Sequence, residues 1–420
     1  MTGPVADGLN YLTSQSGASL LALLWFTAIF EIPRYTISAI AAILNMVFNR
    51  EKPTGPIGTV SVVIAGHNEE NSIERVVRAI REQTRAPDEI IVVSDGSGDK
   101  MMERMQALLA AGLIHGYHGT DLRAGKAAAT NLSLRYATGD VVVNIDSDCT
   151  FDRHALENIV APLADPSVGA VSGNISVRNA HVGLLTMMQS IEYLIGLSLE
   201  KHAADFREQV VCASGAFAAF RATALDQIQG LDVGGGEDLD VTLRLRKAGW
   251  RIRFAHDAVS YTEVPETWRA LVNQRLRWDR DALRLRFRKH LRVLSPFSPD
   301  FRWSELLPAL DYLVFQLAAA CMLPFYVIWL VMSYADLSLP ILMAATFALF
   351  FLDLFAFCMA ALAYPKLSSP VQLLYLPGLA LFYGTALRIV RLYAYVQELV
   401  VNASVFDEYV PAKVRLMRKW

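Results

Sequence analysis

Long stretches without a charged side chain dominate the C-terminal part of this 420-residue chain. Residues 312–335 and 367–387 carry no charge, and residues 337–363 carry only Asp353. Each stretch is long enough for a helix to cross the hydrocarbon core of a bilayer, which takes about 20 residues. We therefore expect a membrane protein with three spans after residue 311.

A further apolar region lies near the N-terminus. Residues 18–30 are apolar, Glu31-Ile-Pro-Arg34 interrupts them, and residues 35–49 are again uncharged. This pattern predicts one long span kinked at Pro33, or a span followed by an interfacial helix. No Lys or Arg precedes Arg34, so we expect no cleavable signal peptide.

The composition agrees with a membrane protein and argues against a nucleic-acid binder. Charged residues make up 19% of the chain, below the roughly one quarter that is usual for soluble proteins. The net charge is −2, whereas proteins that bind nucleic acid are usually basic. We divide the chain into an N-terminal transmembrane or interfacial segment (1–50), a globular domain with interfacial helices (57–300), C-terminal transmembrane helices (303–403) and a basic tail (404–420).

The basic residues predict which side of the membrane the globular domain occupies. Seven arginines lie between Arg275 and Arg292, where the domain meets the spans, and positive charge marks the cytoplasmic face. The tail carries Lys413, Arg415, Arg418 and Lys419. Three spans would place these residues outside, unless a further membrane segment exists near 303–312 or 389–403.

The globular domain alternates strand-like and helix-like segments. "TVSVVIAGHNEE" (59–70), "EIIVVSDGSGD" (89–99) and "VVVNIDSDC" (141–149) are buried strands that end in polar residues, and "SIERVVRAIREQ" (72–83) has helical spacing. A weaker strand lies before residue 123. This alternation predicts an α/β domain with a parallel, doubly wound sheet. Ligands bind at the carboxyl ends of such strands.

Several side chains at those strand ends suit a nucleotide diphosphate and a metal. Asp95 ends one strand, and Asp146 and Asp148 end another. Carboxylate oxygens bind Mg²⁺ or Mn²⁺ together with substrate phosphates, although an isolated Asp-x-Asp is more often a solvated turn. Lys126 follows Gly125 near a helix start and could contact a diphosphate; alone it would be a surface lysine.

Three later segments could complete a site. "VVCASGAFAAFRATAL" (210–225) is a strand and turn of small residues, which suits either close approach of a sugar or tight packing. In "GGGEDLD" (234–240), Asp238 could act as a general base or could cap a helix. In "NQRLRW" (273–278), Gln274, Arg277 and Trp278 share one helical face, which could line a site for an anionic, ring-shaped molecule or belong to an ordinary interfacial helix.

The motifs VIAGHNEE, VVSDGSGD, DSD, GED and QRLRW occur in the order found in membrane-bound family 2 glycosyltransferases, which the chain resembles over about residues 59–290. That group includes processive synthases of cellulose, hyaluronan, chitin and poly-N-acetylglucosamine. The resemblance implies a GT-A fold and inverting, single-displacement transfer from a UDP-sugar. Three positions differ from the usual motifs: His67, Ser94 and Gly236.

The resemblance also implies roles for individual residues. Asp95 contacts the uridine, and His67 and Glu69 border the nucleotide. Lys126 approaches the diphosphate, while Asp146 and Asp148 hold Mg²⁺ or Mn²⁺ and the sugar nucleotide. Asp238 is the general base, and the acceptor end is lined by Gln274, Arg277 and Trp278.

The implied partners are a UDP-sugar, a growing glycan, the lipid bilayer and accessory secretion subunits. The implied location is the bacterial inner membrane with a cytoplasmic catalytic domain, and we hypothesise that the spans form a channel for the polymer. A β-linked polymer of glucose or N-acetylglucosamine is the expected product. Two alternatives are a non-processive transferase with a membrane-lipid acceptor, such as ceramide glucosyltransferase, and a catalytically silent scaffold.

Overall fold

An eight-stranded sheet forms the centre of the globular domain in the computed structural model, which describes residues 4–48, 55–232, 234–407 and 411. The strand order is β3-β2-β1-β4-β7-β6-β8-β5. The strands are β1 (Val60–Gly66), β2 (Glu89–Asp95), β3 (Gly116–Thr120), β4 (Val141–Asp146), β5 (Thr150–Phe151), β6 (Val168–Val177), β7 (Phe217–Arg221) and β8 (Arg251–Thr262).

The sheet is mixed, so the expectation of a purely parallel sheet is wrong in its second half. Strands β1 to β4 are parallel as predicted, whereas β7 runs antiparallel to both β4 and β6. A strand parallel to β4 would need a crossover connection that returns the chain to the end of the sheet where β4 begins. The chain instead enters β7 at the end of the sheet where β4 finishes, with Phe217 opposite Ile145.

Helices cover both faces of the sheet and continue into the membrane part. They are α1 (Pro4–Ser14), α2 (Gly17–Leu23), α3 (Ile32–Val47), α4 (Ile73–Arg81), α5 (Met101–Ala110), α6 (Lys126–Leu134), α7 (Ala155–Val160), α8 (Leu184–Glu192), α9 (Glu200–Phe206), α10 (Ala222–Gln227), α11 (Glu237–Lys247), α12 (Trp268–Arg284), α13 (Trp303–Asp311), α14 (Ala319–Tyr334), α15 (Ser338–Ala363), α16 (Pro370–Tyr375), α17 (Leu379–Leu381) and α18 (Arg388–Val401).

Helix α4 illustrates how the sequence pattern becomes a packed layer. Ile73, Val76, Val77 and Ile80 are all buried, and this spacing places them on one face of the helix. They pack against the buried residues of β1 and β2, including Val62. The α/β class predicted for this domain is confirmed.

Among the residues that the structure describes, three helical regions are long and apolar enough to cross a membrane: Thr27–Asn45, Trp303–Ala363 and Pro370–Val401. The first continues through the predicted kink: a π-helical turn at Thr27–Glu31 precedes α3, and Pro33 lies in the first turn of α3, where its missing N–H is tolerated. The second contains the two predicted stretches, 312–335 and 337–363.

The region Trp303–Ala363 folds back on itself as a helical hairpin of α14 and α15. Ala335 has a positive φ of 41° and interrupts the helical path between them. Along α14, the residues contacted in the N-terminal helices lie progressively closer to the N-terminus. Along α15, the contacted residues lie progressively farther from it. These contacts are Tyr326 with Leu23, Tyr334 with Tyr11, Pro340 with Gly8, and Asp353 with Tyr35.

The region Pro370–Val401, which we call the C-terminal helix, has both ends on the globular domain. Near its start, Gln372 Nε2 donates to Ser190 Oγ at 3.1 Å, and near its end Arg288 pairs with Glu398 at 2.8 Å. Beyond it, Pro411 lies beside Gly125. A helix of this length would separate its ends by about 48 Å if it crossed the bilayer.

We therefore expect the C-terminal helix to lie along the membrane face of the domain. Within the described residues, the hairpin would then supply both crossings that follow the domain, and Pro411 would lie on the domain's side, which agrees with the basic charge of the tail. The basic residues Lys413, Arg415, Arg418 and Lys419 lie outside the described residues.

This arrangement can be tested with protease sites in sealed vesicles. A site inserted in the turn at Ala335–Leu337 should be cut only from the side opposite the catalytic domain. A site added at the C-terminal end should be cut only from the domain's side. Cleavage of both sites from the same side, measured by immunoblot, would contradict two crossings by the hairpin.

Candidate active site

A cleft with a volume of about 280 Å³ opens at the carboxyl ends of β1, β2 and β4. The end of a parallel sheet collects the side chains that follow each strand, which explains why distant parts of the sequence meet there. Seven residues of interest line the cleft: His67, Glu69, Asp95, Lys126, Asp146, Asp148 and Glu237.

Asp95 organises the loop on one side of the cleft. Its two carboxylate oxygens accept hydrogen bonds from the backbone N–H groups of Ala124 and Gly125, each at 2.7 Å. His67 Nδ1 lies 2.7 Å from the Asp95 carbonyl oxygen and donates to it. The carboxylate is only 4% exposed, so in this structure Asp95 shapes the loop before Lys126, and its predicted contact with uridine remains a prediction.

Lys126 is the cation at the centre of the cleft. Its ammonium pairs with Asp146, lies 3.7 Å from Glu237 Oε1 and donates to the Gly215 carbonyl oxygen at 3.1 Å. Burial raises the pKa of Glu237 to about 7, although the Lys126 ammonium opposes the shift. This lysine thus links the end of β4 with the start of α11.

The carboxylates of Glu69, Asp146 and Asp148 give the cleft a negatively charged wall on the side away from the Asp95-bound loop. Burial and then the neighbouring Asp146 raise the pKa of Asp148, and burial is also the main cause of the raised pKa of Glu69. Clustered carboxylates that repel each other are stabilised by a cation.

Within the described ranges, no group of three His, Cys, Asp or Glu side chains converges on one metal position. Mg²⁺ is usually bound by one or two carboxylates together with substrate phosphates and water. Asp146 and Asp148 therefore fit a divalent ion that arrives with a nucleotide, rather than one held by protein ligands alone.

Asp238 lies on the far side of the same cluster. Its Oδ2 accepts from the Gly215 N–H at 3.2 Å and its Oδ1 from the Leu239 N–H at 2.8 Å. Helix α11 is capped by Gly236, whose φ is 68°. Asp238 is therefore the second residue of the helix and not its N-cap, and its carboxylate points at the Gly215 turn.

Gly215 contacts both Lys126, on the donor side of the site, and Asp238, the candidate base. Its carbonyl oxygen accepts from Lys126 Nζ and, at 2.8 Å, from Asn144 Nδ2, while its N–H donates to Asp238. A Cβ added at Gly215 would lie 3.1 Å from Lys126 Nζ and 3.5 Å from the Asp238 Cβ. Within the small-residue segment 210–225, Gly215 therefore permits close contact with Lys126 and Asp238, whereas the sequence allowed either close approach or simple tight packing.

The QRLRW motif lies on α12, beside the glycine loop that precedes Asp238. Six residues after the motif, Arg284 donates to the Gly235 carbonyl oxygen at 2.8 Å and pairs with Asp281. A Cβ at Gly235 would collide with Asp281. Helix α12 therefore fixes the position of the glycine loop that precedes Asp238.

Gln274, Arg277 and Trp278 do not belong to the described lining of the cleft. Trp278 is 40% exposed, and its ring lies 4.7 Å from the guanidinium carbon of Arg275, which forms a bidentate pair with Glu192. Among the described residues no hydrogen-bond partner reaches the buried Gln274 Oε1. The acceptor roles of these residues remain predictions.

Comparison with known proteins gives a consistent picture. A family model described as "Glycosyltransferase like family 2" matches residues 56–280. An N-acetylglucosaminyltransferase of Rhizobium meliloti (strain 1021) is 31% identical over 58% of this chain and 61% of its own length. The poly-beta-1,6-N-acetyl-D-glucosamine synthase of Staphylococcus epidermidis is 27% identical over 72% of this chain and 74% of its own.

The chain spans about three fifths of the length of the first curated relatives it matches. A solved structure, the mannosyltransferase PcManGT from Pyrobaculum calidifontis in complex with GDP-Man and Mn²⁺, aligns with a TM-score of 0.59. The alignment covers 91% of this chain and 99% of that chain at 22% identity. At this identity the likeness establishes a shared fold.

Replacing Gly215 with Ala tests the linkage at the centre of the cleft. The added methyl group would push the flexible Lys126 ammonium aside, so we expect UDP affinity to fall roughly tenfold, or ~1.4 kcal/mol, with little change in melting temperature. Gly116→Ala is the control, because nothing lies within 4 Å of its Cβ position. Equal UDP titration curves for Gly215→Ala and the unaltered protein would contradict the linkage.

Proposed function

Because this chain belongs to the family described as glycosyltransferase like family 2, we propose that it transfers a sugar from a UDP-sugar to a hydroxyl group of a growing β-linked glycan. The observation that supports this most strongly is the meeting of Lys126, Asp146 and Asp238 around Gly215. A donor diphosphate needs the first two residues, and an acceptor hydroxyl needs the third.

The donor binds in the cleft, with its diphosphate beside Lys126. His67, Glu69 and Asp95 border the nucleotide, and the Asp95-bound loop holds Lys126 at the start of α6. Asp146 and Asp148 would hold Mg²⁺ or Mn²⁺ together with the diphosphate oxygens, where a bound ion would supply positive charge against the negative charge of the leaving UDP. Lys126 exchanges its Asp146 contact for the diphosphate when the donor enters.

Asp238 accepts the proton of the attacking hydroxyl. The acceptor oxygen bonds to the anomeric carbon as the bond from that carbon to the UDP oxygen breaks, which inverts the configuration in one step. Such a displacement needs one base and no protein nucleophile. The Gly215 and Leu239 N–H groups orient the carboxylate toward the acceptor side.

Gln274, Arg277 and Trp278 bind the acceptor end of the glycan. An indole face suits the C–H side of a pyranose ring, and a guanidinium suits phosphate oxygens. Trp278 is exposed enough for stacking, and its helix α12 packs against the C-terminal helix through the Arg391–Asp279 pair at 3.1 Å. The acceptor end therefore lies near the membrane face, from which the spans lead the product outward.

N-acetylglucosamine is the sugar that we propose, ahead of glucose. The curated relatives are bacterial and named as N-acetylglucosaminyltransferases or as a poly-N-acetylglucosamine synthase. The inner membrane is the corresponding location, with the catalytic domain in the cytoplasm. Accessory secretion subunits belong to the same proposal.

Conservative substitutions distinguish the role of the proposed base, Asp238, from that of the neighbouring Glu237. With UDP-N-acetylglucosamine as donor, Asp238→Asn should lower UDP release at least 100-fold and leave UDP affinity nearly unchanged. Glu237→Gln should mainly weaken UDP binding, because Glu237 lies beside Lys126. Full activity of Asp238→Asn would exclude it as the base, and no UDP release by the unaltered protein from any UDP-sugar would favour a silent scaffold.

The length of the product distinguishes a polymer synthase from a lipid glycosyltransferase. We expect washed membranes given labelled UDP-N-acetylglucosamine to form chains of several sugars, because Trp278 can hold the end of the product between additions. Trp278→Ala should shorten the chains more than it lowers the first transfer. A product that is only a single-sugar lipid, seen by chromatography, would support the lipid-acceptor alternative.

A further inference from the structure

Helix α9 lies between the membrane helices and the catalytic cluster. Two of its residues face the membrane part: Glu200 pairs with Arg34 of α3 at 2.9 Å, and His202 Nδ1 lies 2.6 Å from the hydroxyl of Tyr364, which follows α15. Lys201, between them, extends into the globular domain. The residues that flank this lysine are therefore fixed by the membrane helices.

The Lys201 ammonium binds two serine hydroxyls behind the catalytic turn. It donates to Ser214 Oγ at 2.7 Å and to Ser172 Oγ at 3.2 Å. Ser172 is fully buried in β6, and its Oγ also accepts from the Ser214 N–H at 3.2 Å. The lysine thus holds both the side chain and, through Ser172, the backbone of Ser214.

Ser214 immediately precedes Gly215, whose N–H donates to Asp238. The position of this N–H depends on the Ser214 backbone, so the lysine and the carboxylate are linked by one peptide unit. Burial lowers the pKa of Lys201, while the nearby Asp238 carboxylate opposes the shift. The ammonium is therefore placed where its charge also acts on the carboxylate.

We propose that Lys201 is a positioning residue for Asp238: it fixes the Ser214–Gly215 turn from the membrane-anchored helix and thereby orients the carboxylate that activates the acceptor hydroxyl. This inference rests on the proposed transferase function. It assigns α9 a part in catalysis that neither the motifs nor the lining of the donor cleft indicates.

Donor binding and turnover, measured separately, distinguish a positioning lysine from one that merely fills the interior. General destabilisation would lower donor binding and turnover together. Loss of the orientation of Asp238 would lower kcat more than donor affinity, because Asp146 and the Asp95-bound loop hold Lys126 in addition to the Gly215 carbonyl oxygen. The Ser214 hydroxyl is the intermediate contact, so removing it should reproduce part of the same defect.

The experiment compares Lys201→Met, Ser214→Ala and the double variant in full-length protein. With UDP-N-acetylglucosamine, Lys201→Met should lower kcat at least tenfold and change KM for the donor and UDP affinity less than about threefold. If the lysine acts through Ser214, the double variant should be no worse than the more severe single variant. Lys247→Met is the control, since Lys247 pairs with Asp300 at a more exposed position.

Several outcomes would overturn the proposal. They are an unchanged kcat for Lys201→Met, equal losses of kcat and UDP affinity, or additive losses in the double variant. If Lys201→Met does not fold, Ser214→Ala provides the test. A lower kcat with nearly unchanged UDP affinity would support the proposal, and an unchanged kcat or an equal loss of both would overturn it. An unaltered protein that releases no UDP would overturn the transferase function as well, whereas an active protein unaffected at Lys201 would overturn this inference only.

Discussion

The pairing of the half-buried Lys126 ammonium with carboxylates around the Gly215 peptide is the interaction on which the rest of the site depends. Lys126 contacts Asp146 and the Gly215 carbonyl oxygen, and the Gly215 N–H contacts Asp238. Charges removed from water must be paired or hydrogen-bonded. That requirement brings the end of β4, the turn before β7 and the start of α11 together, although they are far apart in sequence.

The second constraint is the attachment of this cluster to the membrane helices. Arg34 pairs with Glu200 and Arg388 with Glu31, and both arginines are largely buried. Arg288 and Glu398 tie the C-terminal helix to the domain beyond α12. The cleft therefore has a fixed position relative to these helices.

The sequence was sufficient for features that depend on local pattern. The first strands, α4 and the strand-end residues Asp95 and Asp146 followed from periodicity and turn residues, and the family resemblance is confirmed by the match over 56–280. The antiparallel direction of β7 could not be predicted from the sequence. It depends on the end of the sheet at which the chain arrives after helices α8 and α9. Lys201 gave no signal, since its partners Ser172 and Ser214 are distant in sequence.

A cryo-electron microscopy structure of the protein with UDP and Mn²⁺ would test the central claim most directly. The account predicts that the diphosphate contacts the Lys126 ammonium, that Asp146 and Asp148 face the ion, and that Asp238 keeps its Gly215 contact on the other side. A nucleotide bound elsewhere, with Lys126 still paired to Asp146, would contradict it.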